Sequence, residues 1–96
     1  MKMFLVVYCE ASDEYILAAF KDAGFKAYTK MHGATGEGKE TEPKLDTHCW
    51  PGTNNALFIA VDDAEITGLC DLVKKLKLDH PRAGVKAFTL PLEECV

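Results

Sequence analysis

The 96 residues, about 10.6 kDa, suffice for a single domain spanning 1–96 and exclude a multidomain chain. Apolar residues at 48% and charged residues at 27% exclude a disordered chain, a collagen and a coiled coil. A net charge of −4, with Arg82 the single arginine, excludes phosphate-driven nucleic-acid binding as the main activity.

The longest apolar run, Met3 to Cys9, falls far short of the roughly 18 residues that span a bilayer. The start of the chain runs straight into a strand-like segment without a small-residue cleavage site, so a cytoplasmic protein is expected. The four cysteines, Cys9, Cys49, Cys70 and Cys95, contain no C-x-x-C pair and are expected as free thiols.

Met3–Tyr8 reads as a first strand with Phe4, Val6 and Tyr8 on one face and Met3, Leu5 and Val7 on the other. Both faces are apolar, which predicts a central strand. Ser12 reads as a helix N-cap, with Asp13 and Glu14 suited to the positive end of the helix dipole. Ile16, Leu17, Phe20 and Ala23 follow at helical spacing, and Gly24 is expected to end the helix in a left-handed conformation. Lys26–His32 alternates as a second, more polar strand.

Gly33–Asn55 has almost no periodicity and carries Gly33, Gly36, Gly38, Pro43, Pro51 and Gly52. So long a stretch between elements is uncommon in a compact domain unless it is functional or disordered. Ala56–Val61 reads as a third, central strand. Asp62 and Glu65 form a capping-box pair ahead of a helix with Ile66, Leu69, Cys70, Val73 and Leu76 on one face. Asp79-His80-Pro81 ends it, and Val85–Leu90 reads as the fourth strand.

The expected fold is therefore α+β: a ferredoxin-like β-α-β-β-α-β sandwich with two helices on one sheet face and a long loop between strands two and three. The opposite face must carry Met3, Leu5, Leu57 and Ile59, or their opposite-parity neighbours, and such a face is usually buried by another subunit. An oligomer is expected.

Fold alone does not give function. A copper chaperone of this shape needs two thiolates after the first strand, and only Cys9 stands there. An acylphosphatase needs a glycine-rich anion cradle with an arginine at the same turn, which Tyr8-Cys9-Glu10-Ala11-Ser12 lacks. The closely spaced Gly36 and Gly38 would let backbone N–H groups approach an anion, or simply form a loop tip. Trp50, the single tryptophan, precedes Pro51-Gly52 and serves either as a packing anchor at the loop base or as a stacking surface. Cys49 beside His48 is the one nucleophile–base pair in view, but neighbours on an extended strand point opposite ways, so no enzyme is expected.

Tyr28-Thr29, Gly36-x-Gly38, His48-x-Trp50-Pro51-Gly52-x-Asn54 and Gly84-x-Lys86-x-Phe88, set in this architecture, resemble the P-II-like superfamily of nitrogen regulatory proteins. The resemblance implies a homotrimeric signalling protein with sheets packed inward. It implies ATP, ADP or another small anionic effector bound between subunits, and a partner protein docked through the loop at 33–55, which corresponds to the family's T-loop. It places Gly36, Gly38, Trp50, Gly84 and Lys86 at the effector, with His80–Val85 as the B-loop. The chain departs from the family in reading Ala83-Gly84-Val85-Lys86 where Gly-Asp-Gly-Lys is usual, and in having no tyrosine in the loop. It is a divergent, compact relative on this reading.

The alternative is a CutA-like trimer that binds a divalent metal. His48, Cys49 and His32 would be its ligands, since imidazole and thiolate suit zinc or copper.

Overall fold

The computed structural model describes residues 1–35 and 53–96. In chain order these form β1 (Lys2–Cys9), a short 3-10 turn (Glu10–Ser12), α1 (Asp13–Asp22), β2 (Thr29–Ala34) and β3 (Asn54–Val61). A second 3-10 turn (Asp63–Glu65) leads into α2 (Ile66–Asp79), and a third (Pro81–Ala83) into β4 (Lys86–Pro91). The sheet order is β2-β3-β1-β4, antiparallel throughout. This is a small α+β fold, compatible with a ferredoxin-like one.

The two central strands are β1 and β3, the most apolar of the four. Phe4, Val6 and Tyr8 from β1 and Leu57, Ile59 and Val61 from β3 are buried against Ile16 and Phe20 of α1 and Leu69, Val73 and Leu76 of α2. Cys70 packs against this core from its edge. Cys9, Cys70 and Cys95 are free thiols, as expected of them; Cys49 lies outside the described residues.

Gly24 has φ +97. Its N–H bonds the Lys21 carbonyl at 3.0 Å while the Phe25 N–H reaches back to the Phe20 carbonyl at 2.9 Å. This pair of bonds is a Schellman motif, and Phe25 packs on the core as the motif's apolar contact. The motif explains why β2 starts at Thr29 rather than at Lys26. The chain must first turn off the helix and seat Phe25 and Tyr28 against the core before it meets β3. Tyr28 accordingly precedes the strand and Thr29 opens it.

Ser12 occupies the N-cap position of α1 but makes no side-chain capping bond. Its φ of −99 and ψ of 9 continue the 3-10 turn into the helix rather than presenting the extended geometry that aims a capping oxygen. The Asp62–Glu65 capping box forms as expected, with the Asp62 N–H donating to Glu65 Oε2 at 3.1 Å. At the other end of α2 the His80 N–H makes the last helical bond, to Leu76 at 2.8 Å, and Pro81 has no N–H to extend it.

Among the described residues, the sheet's second face carries no helix. Leu5 pairs with Phe58 on one side and Phe88 on the other; Met3 pairs with Ala60 and Leu90; Val7 pairs with Ala56 and Lys86. Met31 on β2 continues the row through Ala56. Leu57 and Ile59 belong to the helix side instead, so of the expected open-face residues only Met3 and Leu5 are there, joined by the opposite-parity residues of β3. Met31, Phe88 and Leu90 remain 52%, 49% and 43% exposed.

Candidate functional site

The polar residues of the domain gather where β1 ends and α1 begins. Asp13, the first residue of α1, is a hub. Tyr8 donates its hydroxyl to Asp13 Oδ1 at 2.6 Å, Asn55 Nδ2 donates to the same oxygen at 3.0 Å, and Lys30 Nζ donates to Oδ2 at 3.0 Å. Three strands thus converge on one carboxylate: β1 through Tyr8, β2 through Lys30 and β3 through Asn55. One turn earlier, Glu10 accepts a bond from Thr53 Oγ1 at 3.0 Å, and its N–H donates to the Thr53 carbonyl at 3.3 Å.

The local sequence explains the convergence. The parity of β1 that buries Phe4 and Val6 carries Tyr8 onto the helix side, and the 3-10 turn folds Asp13 back over it. Lys30 opposes Leu57 in the ladder, so it too lies on the helix side. The Lys30 and Asp13 side chains are only 20% and 25% exposed, so this ion pair is less screened than a surface pair.

Burial alone would push the Asp13 carboxyl up. The hydrogen bonds from Tyr8, Lys30 and Asn55, with the Lys30 charge, overcome it and hold Asp13 below its ordinary value of 3.8. Burial, reinforced by the hydrogen bond to Asp13 and the charge it carries, pushes Tyr8 well above its ordinary value of 10.0. Tyr8 is therefore a neutral donor and Asp13 a charged acceptor with both oxygens engaged. The cluster ties three strands to the start of α1. Asn55 is buried, and its Oδ1 has no donor among the described residues.

An open cleft of about 370 Å³ lies beside this hub, lined by Ser12, Tyr15, His80, Pro81, Arg82 and Ala83. Two of its lining residues, Tyr15 and His80, touch through their rings, with centroids 4.1 Å apart and planes tilted by 34°.

Of the residues the sequence singled out, Gly84 has φ +64 and turns the chain from the Pro81–Ala83 turn toward β4, a backbone task that favours glycine. Lys86 opens β4, is exposed, and pairs with Val7 on the open sheet face. Arg82 lines the cleft on the helix side, so these two cations flank Gly84 on different faces. His32 is exposed on β2. Gly36, Gly38, His48, Cys49 and Trp50 lie outside the described residues, as does most of the 33–55 loop. The strands run to Ala34 and resume at Asn54, so the connection is shorter at both ends than expected. Among the described residues, no three His, Cys, Asp or Glu side chains gather as a metal site.

The sequence did not disclose the hub. Asp13 read as a helix-dipole residue and Tyr8 as an apolar strand residue. The available signal was the pairing of a basic residue on β2's helix-side parity with Asn55 at the start of β3, both polar groups on a face that must otherwise be apolar.

No family model and no curated protein matches the chain. Among solved structures it is similar to a functionally unknown protein from Pediococcus pentosaceus ATCC 25745, with a TM-score of 0.69 at 16% identity. The match covers 99% of this chain and 94% of that one, and it speaks for the fold.

Proposed function

We propose that this chain acts as a P-II-like homotrimer, cytoplasmic and non-enzymatic, that takes a small anionic effector such as ATP or ADP between subunits. It would regulate a partner protein through the connection between β2 and β3. The reading takes the fold as ferredoxin-like in the full β-α-β-β-α-β sense.

One observation carries the proposal: the sheet face of Met3, Leu5, Val7, Phe58, Phe88 and Leu90 is apolar and, among the described residues, uncovered. A patch built of cross-strand apolar rows is what inward-packed sheets bury. Lys86 stands on that same face, on the edge strand β4, so burying the face between copies brings its ammonium to a subunit seam. A cation at a seam is suited to an anion held by two subunits.

The test is light scattering with nucleotide titration on the intact chain. The expected mass is that of about three chains, and ATP or ADP should raise the melting temperature with occupancy. A monomer at micromolar concentration removes the basis for the trimer. A trimer stabilised by zinc or copper but by no anion favours the CutA-like reading instead.

A further inference from the structure

We infer that the turn from Glu10 to Asp13 is a clamp that sets how both stems of the β2–β3 connection leave the sheet. The inference goes beyond the proposed function, since it requires neither an effector nor a particular assembly.

Among the described residues, β2 is an edge strand paired only with β3. Its ladder is interrupted between Met31 and Ala34, where β2 spends one residue more than β3 and Gly33 takes φ +65. A bulge of this kind loosens the local ladder and re-aims the strand beyond it. Past the bulge, one pair remains among the described residues, Ala34 with Asn54. Backbone pairing therefore defines the outgoing stem weakly at the point where its direction matters.

The side chains supply what the ladder lacks. Lys30, the residue before the last regular pair, is tied to Asp13. The returning stem is tied to the same turn twice, by Thr53 to Glu10 and by Asn55 to Asp13. Tyr8 anchors the turn to the central strand. Both stems thus refer to one short segment rather than only to each other. A displacement of that turn moves both stems together, and a pull on either stem is felt at the start of α1. Ser12, in the middle of the clamp, also lines the cleft with His80 and Arg82, so the cleft and the stems share one turn.

The clamp makes a selective prediction for backbone amide exchange measured by NMR on the intact, ligand-free chain. Lys30→Met should speed exchange at Met31 and its neighbours on β2, and Thr53→Val at Asn54 and Asn55 on β3. Asp13→Ala should speed both. The expected acceleration for Lys30→Met and Asp13→Ala is roughly ten- to a hundredfold, as for a lost charged hydrogen bond. Exchange in the β1–β4 ladder at Leu5 and Phe88 should stay within about twofold in every variant that folds. Uniform acceleration across the sheet, or no acceleration in the stems, overturns the clamp. If Asp13→Ala fails to fold, the two single-stem variants decide: each must loosen its own stem and spare the other.

Discussion

Asp13 carries an unusual share of this domain's polar architecture. A carboxylate held below its ordinary value in the folded state favours folding when ionised. Its contribution is complete above the unfolded value of 3.8 and is lost as the pH falls from there through the lower folded value. Urea midpoints taken from about pH 6 down to about pH 3 should therefore fall more steeply for the natural chain than for Asp13→Asn. Parallel curves would show that Asp13 is no more strongly held when folded than when unfolded. Lys30→Met should flatten the profile in the same direction but less, because the Tyr8 and Asn55 bonds remain. Tyr8 adds no titration of its own in this range, since its hydroxyl stays protonated far above neutral pH.

Single elements show what the amino-acid pattern can and cannot convey. Alternation in β1, the helical stripes of α1 and α2, the Asp62–Glu65 box and the proline stop after His80 each express a local rule, and each appears in the fold. The start of β2 was missed because a tertiary demand, seating Phe25 and Tyr28 on the core, overrode the alternation of Lys26–His32. The hub at Asp13 was missed for a related reason: its partners come from three strands, and no local rule joins residues 8, 13, 30 and 55. Gly24 was legible and is testable. With φ +97 and nothing within 4 Å of where a Cβ would stand, Gly24→Ala meets only backbone strain. It should cost about 1–2 kcal/mol, read as a lower urea midpoint with an unchanged slope. A change near zero would show that the Schellman turn relaxes freely.

At the scale of the whole molecule, the distribution of apolar side chains decides the outcome. The helix side of the sheet is buried by α1 and α2, while among the described residues nothing covers the rows through Leu5–Phe88 and Met3–Leu90. Phe88→Glu introduces a charge into such a row without touching the helix-side core. Light scattering should then report monomers with the fold's circular dichroism retained. A trimer persisting in Phe88→Glu would mean that copies meet on another surface. On the proposed reading, Lys86→Ala should weaken the binding of an anion at a subunit seam by about 1.5–3 kcal/mol while leaving the assembly intact. Unchanged affinity would remove Lys86 from the site.

The strand order also imposes a schedule. In order of synthesis β1 precedes both of its sheet neighbours, β3 and β4, although it lies in the sheet's interior. Until they arrive, Phe4, Val6 and Tyr8 have little to bury against and both of the strand's hydrogen-bonding edges stand open. Such non-local pairing slows folding, because chain closure must precede the contacts that reward it. Synthesis therefore leaves β1 without a partner until β3 is made, and with one edge open until β4 follows. A chain cut short before Lys86 should remain protease-sensitive and bind a hydrophobic dye, and adding the β4 segment should abolish both behaviours in one cooperative step.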